Sequence, residues 1–199
     1  AARAAPAPRP ADAAGDGLVI GTFRPTKIVD GDTIWVDGLP RALRLIGIDT
    51  EETFKSARDR RAAAGGLAAY MTAKRGDARR PVKMATPMGE AAKQFAQAFF
   101  AGVTEVRLER DDPAERLDRY QRYLAYVLVR RGDRWDNYNV ACVRAGMAPY
   151  FTKYGYARRY HAELVAAEAE ARRARRGIWA PDAPGYPDYA ERLAWWRAR

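Results

Sequence analysis

Between Leu18 and Asp49, apolar and polar positions alternate in short runs that are rich in β-branched residues. This period of two, interrupted by turn sequences, is typical of β-strands. The segment predicts three strands, with turns at Asp30–Asp32 and at Val36–Gly38. Such strands favour a meander that curls into a small barrel.

The pattern of apolar positions changes further along the chain. Residues 89–102 carry apolar side chains at helical spacing and predict a helix. Residues 103–110 and 119–133 alternate again and predict two more strands. A short helix is predicted over residues 137–146, and a long Ala/Glu/Arg-rich helix from Ala157 to Arg176.

The predicted order is three strands, a helix, two strands and further helices. This order matches a five-stranded Greek-key β-barrel of the OB type with flanking helices, in the α+β class. We expect one barrel domain over residues 17–180, a flexible Ala- and Pro-rich leader over residues 1–16, and a C-terminal tail over residues 181–199.

A long basic segment, residues 53–88, separates the third predicted strand from the first predicted long helix. It contains nine Lys and Arg residues against only Asp59 and Asp77. Its alanines predict short helices that break at Gly65–Gly66. A segment of this length inside a compact domain is usually functional or mobile, so it is treated as an insertion.

The charge of the chain indicates a polyanionic partner. Lys plus Arg number 35 and Asp plus Glu 25, which gives a net charge of +10 and a pI near 9.9. Nucleic acid is the first candidate and an acidic membrane surface the second. The alternative is a basic soluble protein without such a partner. Hydrophobic residues make up 48% of the 199 residues, enough for a substantial core.

The counts of cysteine and histidine exclude several kinds of chemistry. Cys142 is the single cysteine, so an internal disulfide and a cysteine-based zinc cluster are excluded. Its apolar surroundings predict a small buried side chain. His161 is the single histidine, which excludes mechanisms that need two, and its polar helical context predicts a structural or solvated side chain.

The two ends of the chain carry further expectations. No apolar run is long enough to span a bilayer, so membrane insertion is not expected. The leader suggests an exported protein after processing. The tail carries Trp195 and Trp196, which we expect to dock onto the domain; a partner site is the alternative. We expect a monomer.

The opening β-rich segment also carries a cluster of acidic residues. Asp32 leaves the first turn and Asp49 ends the third strand, so a hairpin can bring the two carboxylates together. Asp30 would add negative potential, and Glu52 lies within reach of a metal-bound water. Hard divalent cations prefer such oxygen ligands. The alternative is that all four are solvated turn residues.

Arginine would complete a phosphate site, because its planar fork donates two parallel bonds and stays charged. Plain strand alternation places Arg44 and Asp49 on opposite faces, so a bend is required, and Gly47 is the expected position. A second arginine is expected from Arg119 or Arg122. Both lie beside tyrosines.

Five sequence blocks resemble the staphylococcal nuclease family. They are IVDGDT, LRLIGIDTEET, LDRYQRYLAYV, NVACVRAGMA and ARRARRGIW, and they occur in the family's order with matched spacing inside each block. The resemblance runs from about residue 18 to residue 179, apart from the basic segment. It implies an OB barrel and a calcium-dependent, sugar-nonspecific endonuclease that cleaves DNA and RNA and leaves 3′-phosphates.

The resemblance also implies roles for individual residues. Asp32, Asp49 and the Thr50 carbonyl look like the calcium ligands, with Asp30 in the neighbouring acidic position. Glu52 resembles the carboxylate that activates water, and Arg44 and Arg122 resemble the two phosphate-binding arginines. The remaining matched positions, expected to contact the nucleotide, are Arg119, Tyr120 and Tyr154.

Three features depart from the family pattern. Glu51 stands where the family has proline, and Gln121 and Tyr123 replace two glycines beside Arg122. The basic segment is longer than the corresponding family loop and follows Glu52 directly. We therefore hypothesise that residues 53–88 form a cationic lid that holds a nucleic-acid backbone; a surface insertion without substrate contact is the alternative.

A non-catalytic, nucleic-acid-binding OB module is the alternative function, because some relatives of this fold have lost acidic or arginine positions. Binding alone does not need a base, so a degenerate module should lack at least one of the five matched positions. All five are present: Asp32, Arg44, Asp49, Glu52 and Arg122. This completeness favours the enzyme.

Overall fold

The computed structural model describes residues 17–114, 117–181, 183 and 194. Seven strands form one sheet: Val19–Phe23 (β1), Pro25–Ile28 (β2), Thr33–Val36 (β3), Leu43–Leu45 (β4), Val106–Glu109 (β5), Leu124–Arg131 (β6) and Arg134–Asn137 (β7). The helices are Ala57–Gly65 (α1), Leu67–Arg75 (α2), Pro87–Phe99 (α3), Tyr138–Arg144 (α4) and His161–Arg173 (α5), followed by a 3₁₀ turn at Gly177–Trp179.

The strands follow the order β1-β5-β6-β4-β3-β2, and β7 pairs with β6. Neighbouring strands are antiparallel except for β4 and β6, which are parallel. The sequence predicted five strands. The first predicted strand is divided at Arg24 into β1, which pairs with β5, and β2, which pairs with β3. The additional strand β7 forms a hairpin with β6. Barrel closure stays a prediction, because the strand order ends at β1 and at β2 and no pairing in the described residues joins these two end strands.

The core lies between the sheet and the helices α3, α4 and α5. Buried positions alternate in β3 and β4, as a period of two requires, whereas five consecutive residues of the central strand β6 are buried. Cys142 is buried in this core, which confirms its prediction as a small buried side chain. His161 is exposed, and its Nδ1 lies 3.0 Å from the Tyr150 hydroxyl, which agrees with the prediction of a structural or solvated side chain. The largest core aliphatics with essentially no exposure are Ile34, Leu43, Leu45, Ile48, Leu108 and Leu164.

The predicted break at Gly65–Gly66 is confirmed, because α1 ends and α2 begins there. α3 starts two residues earlier than predicted, at Pro87. The Thr86 hydroxyl caps this end by accepting a hydrogen bond from the Gly89 amide at 3.4 Å. Proline suits this first position, where its missing N–H has no helical acceptor.

The predicted start of the last helix at Ala157 is wrong, because α5 begins at His161. The backbone N–H groups of residues 157–159, just before the helix, donate to side chains from other parts of the fold. The Tyr150 hydroxyl accepts from the Ala157 amide at 2.8 Å, and the Asp111 carboxylate accepts from the amides of Arg158 and Arg159 at 2.7 and 3.0 Å. These tertiary bonds hold residues 157–159 in place ahead of α5.

Two side chains of α4 fasten this helix to the site region. The buried Asn139 amide accepts from the Val127 N–H at 3.1 Å and donates to the carbonyls of Ile46 and Ala125 at 2.8 and 3.1 Å. The Tyr138 hydroxyl donates to the Gly31 carbonyl at 2.7 Å. The acidic turn and the residue that follows β4 are thereby both bonded to helix α4.

The leader over residues 1–16 and the tail tryptophans Trp195 and Trp196 lie outside the described residues, so their predictions stay open. The domain limits at residues 17 and 180 also stay a prediction. Within the described ranges, none of the helices combines the length and hydropathy that a bilayer crossing requires.

Candidate functional site

One cavity of about 770 Å³ collects the residues that the sequence singled out. It opens beside β4 and the start of β6. Pro81 and Lys83 are the contribution of the basic segment to its wall. The predicted site residues that line it are Asp32, Arg44, Asp49, Glu52, Arg119, Tyr120, Arg122 and Tyr154.

Arg44 lies between the two aspartates that the sequence paired. Its Nη1 is 3.1 Å from Asp32 Oδ2, and its Nη2 is 3.0 Å from Asp49 Oδ1. The required bend occurs at Gly47, whose φ of +76° lies in the left-handed region that favours glycine. The Gly47 carbonyl accepts from the Phe151 amide at 2.9 Å, which fixes the bend.

Asp32 is the most buried carboxylate of the cavity, with a relative exposure of 2%. Its Oδ2 accepts from the Thr50 amide at 2.9 Å, and its Oδ1 accepts from the Thr33 hydroxyl at 3.0 Å. Burial alone would raise the pKa of Asp32. The charges of Lys83 and Arg44 and the Thr50 amide outweigh burial and hold this pKa well below its usual range.

Asp30 lies behind Asp32. Its Oδ1 accepts from the Asp32 amide at 3.1 Å, and the residue is 6% exposed. Burial, with the Asp32 charge second, raises the pKa of Asp30 to about 6. Thr50 is fully buried and is not among the residues that line the cavity; its backbone N–H donates to Asp32.

Lys83 is a site residue that the sequence interpretation missed. Its Nζ lies 3.3 Å from Asp32 Oδ2, 3.2 Å from Asp49 Oδ1 and 3.3 Å from Glu52 Oε1. Burial would lower the pKa of Lys83, but these carboxylates raise it above the usual value. No sequence signal distinguished Lys83, because it is one of nine basic residues in its segment.

Glu52 is positioned by its backbone. Its N–H donates to the Met84 carbonyl at 2.9 Å, and its carbonyl accepts from the Thr86 amide at 3.1 Å. The residue just before the basic segment is therefore paired with residues near the end of that segment. Gly89 of α3 packs directly on the Glu52 carbonyl, where a Cβ would collide with the backbone. The Glu52 side chain is 37% exposed and faces the cavity.

Arg122 is held by Asp118, which sequence reasoning also missed. Asp118 Oδ2 accepts from Arg122 Nε at 2.9 Å and lies 2.8 Å from Nη2, and Oδ1 accepts from the Arg122 amide at 2.9 Å. The spacing of four residues between the two charges was the available signal. Gln121 has a φ of +61° in this turn, a conformation that suits the glycine of the family pattern.

Aromatic side chains surround the arginines at the open side of the cavity. Tyr120 is 56% exposed, and the guanidinium carbons of Arg119 and Arg122 lie 4.7 and 5.2 Å from its ring centroid. Tyr154 and Tyr156 are 77% and 71% exposed. Exposed rings next to guanidinium groups can stack on nucleobases.

The donor atoms of Asp32, Asp49 and Glu52 are of the type that a hard divalent cation prefers, since all three side chains supply carboxylate oxygen. In the described part of the chain, no group of three or more acidic, histidine or cysteine side chains is already spaced to hold a metal ion. The three carboxylates carry three negative charges against the two positive charges of Arg44 and Lys83. The arrangement can therefore bind a cation and an anionic phosphate together.

Comparisons with known proteins give one consistent family. A family profile described as staphylococcal nuclease homologue matches residues 42–181. The chain is 30% identical over 161 residues to an uncharacterized protein of Methanocaldococcus jannaschii, covering 77% of this chain and 69% of that protein. It is 29% identical over 161 residues to a thermonuclease of Staphylococcus hyicus, covering 79% and 75%. It is 31% identical over 155 residues to a thermonuclease of Staphylococcus intermedius, covering 77% and 73%.

Proposed function

The chain belongs to the staphylococcal nuclease family, and on this basis we propose that it is a nuclease that hydrolyses phosphodiester bonds of DNA and RNA. In this proposal the enzyme is a calcium-dependent endonuclease with little preference for the sugar, and it leaves 3′-phosphates. The net charge of +10 supports a nucleic-acid substrate, because cationic surfaces attract phosphate backbones.

One observation carries the proposal. Two aspartates, one glutamate and two arginines line a single cavity, although they come from separate parts of the chain. Phosphodiester hydrolysis needs a base for water and positive charge on the phosphoryl oxygens, and this set supplies both.

Each residue has a distinct role in the proposed reaction. Glu52 accepts a proton from water, whose oxygen attacks phosphorus in line as the bond to the 5′ oxygen breaks, and the departing 5′ oxygen takes a proton from solvent to become a hydroxyl. Arg44 and Arg122 donate to the phosphoryl oxygens, where negative charge accumulates. A Ca²⁺ ion held by Asp32, Asp49 and the Thr50 carbonyl would supply further positive charge at the phosphoryl group.

The cavity also indicates how the substrate would be oriented. Tyr120 and Tyr154 stand at the open side, where their rings would stack on bases next to the cleaved bond. Arg119 donates to the Tyr120 hydroxyl at 2.6 Å, so its charge stays beside that ring. Stacking tolerates every base, which agrees with cleavage that is independent of sequence.

The test is a digestion assay on single- and double-stranded DNA and on RNA, with calcium, magnesium, manganese or a chelator. Cleavage is expected with calcium and not with the chelator. Glu52→Gln and Arg122→Ala should each lower kcat by about 10²–10³. Full activity of Glu52→Gln would remove the base from the mechanism, and binding without cleavage by the wild type would make the chain a binding module.

A further inference from the structure

The Lys83 ammonium lies at the position that a cation would take among the carboxylates. Its three distances, to Asp32, Asp49 and Glu52, lie between 3.2 and 3.3 Å, so the nitrogen is almost equidistant from all three. The Lys83 side chain is 30% exposed, which leaves a path to solvent.

The backbone next to Lys83 is fixed by pairing, whereas its long side chain has several rotatable bonds. Met84 accepts from the Glu52 amide, and Ala85 pairs with Glu52 in a parallel bridge. The lysine is therefore presented to the cavity by a strand-like pairing. Four rotatable methylene groups separate this anchored backbone from the ammonium, so the charge can leave while the backbone stays paired.

We propose that Lys83 is a tethered cation that competes with the divalent metal for the carboxylates of the site. This inference rests on the proposed function, because it concerns the metal position of the same cavity. Calcium binds oxygen ligands at about 2.3–2.6 Å, which leaves no room for an ammonium in contact with the same oxygens. Entry of the metal therefore expels the Lys83 side chain.

The competition has two consequences for the protein. Without metal, Lys83 and Arg44 together offset most of the carboxylate charge, so the apo protein is spared the repulsion of three close anions. With metal, the expelled ammonium stands at the wall of the cavity, next to Pro81, and is available to a phosphate. The basic segment thus regulates the affinity of the site through one residue.

Calcium binding to the free protein tests the competition directly. Isothermal titration with calcium chloride, without nucleic acid, is compared for wild type and Lys83→Met, which keeps the side-chain length and removes the charge. Lys83→Met should bind calcium about 10- to 100-fold more tightly, the usual range of a coupling between two sites. Lys55→Met is the matched control, because Lys55 lies in the same segment but donates to the Thr53 hydroxyl at 3.1 Å; its affinity should equal that of wild type.

The wild type offers a second test that does not depend on the folding of a variant. Acetylation of individual lysines is followed by mass spectrometry with and without saturating calcium. Lys83 should react several-fold faster with calcium, because the freed amine loses its three carboxylate partners, while Lys55 should keep its rate. An unchanged or slower rate at Lys83 would overturn the proposal, as would equal or weaker calcium affinity in Lys83→Met.

The two hypotheses fail in different ways. A wild type that cleaves nucleic acid, together with a Lys83→Met variant of unchanged calcium affinity, overturns the competition and leaves the nuclease intact. A gain in calcium affinity without any cleavage by the wild type supports the competition and overturns the proposed activity.

Discussion

Replacing Asp118 by asparagine should release Arg122 from its fixed position without dismantling the turn. Asp118 Oδ2 accepts from Arg122 Nε at 2.9 Å and lies 2.8 Å from Nη2. Its Oδ1 accepts from the amides of Tyr120 and Arg122 at 2.8 and 2.9 Å. Asparagine retains an oxygen for the two amides but loses the charge that orients the guanidinium.

The size of the effect follows from this geometry. A hydrogen bond to a charged group contributes about 1.5–3 kcal/mol. Solvent weakens this pair, whose side chains are 30% and 15% exposed, so the lower end of that range applies. About 1.5–2 kcal/mol of lost positioning corresponds to a 10- to 30-fold decrease in kcat/KM. The decrease should lie mainly in kcat, because Arg122 is proposed to act on charge that develops in the transition state.

The assay is steady-state cleavage of a short single-stranded DNA with a fluorophore and a quencher. Asp136→Asn is the matched control, since it also removes an aspartate–arginine pair, here with Arg131 at 3.4 Å in the β6–β7 hairpin. The control should keep the wild-type rate. Equal kcat/KM for wild type and Asp118→Asn, or equal losses in both variants, would refute the positioning of Arg122 by Asp118.

Four further outcomes are expected. The pKa of Asp118 lies below its usual value, because hydrogen bonds from Arg122 and Tyr120 outweigh burial. The contribution of Asp118 to the free energy of unfolding should be constant above about pH 5 and should disappear as the pH falls through the lowered pKa. Acid titrations should therefore show the stabilities of wild type and Asp118→Asn converging at low pH. Gln121→Gly should stabilise the fold by about 1 kcal/mol in thermal unfolding, because glycine adopts a φ of +61° without strain, and an unchanged melting temperature would contradict this account. Asn139→Ala should destabilise it by about 3 kcal/mol in urea unfolding, since three buried hydrogen bonds are lost; a change below 1 kcal/mol would exclude that role. If the exposed Arg79 and Arg80 contact phosphates, as the lid hypothesis requires, the double alanine variant should flatten the log–log salt dependence of duplex DNA binding by about 1.8, and an unchanged slope would discard those contacts. The matched control removes two exposed arginines of the β6–β7 hairpin, Arg130 and Arg134.

Much of the secondary structure could be predicted from local pattern. The break between α1 and α2 follows from two glycines, and the short helix α4 begins after Asn137, whose side chain accepts from the amides of residues 139 and 140. Errors occurred where tertiary bonds override local preference. The last helix was predicted to start four residues too early, in a stretch whose amides are bound by Asp111 and Tyr150 from other parts of the fold.

The acidic and basic positions of the site were predictable as a set, because their residue types and their order along the chain match the family. Their mutual orientation was not. Arg44 reaches Asp49 only because the backbone bends at Gly47, and Arg122 is aimed by a carboxylate four residues earlier. A pattern of side chains carries no information on the direction of a bend.

The sequence by itself determined the family, the strand-rich opening, the charge that favours a polyanion and the chemistry that one cysteine and one histidine exclude. These properties depend on residue identity and on contacts within a few positions. The tertiary structure alone decided that Lys83 joins Asp32, 51 residues away in the chain, and that Glu52 pairs with Ala85. Such contacts arise when backbone pairing brings distant segments together, and the free energy that selects one pairing over another is a property of the whole fold.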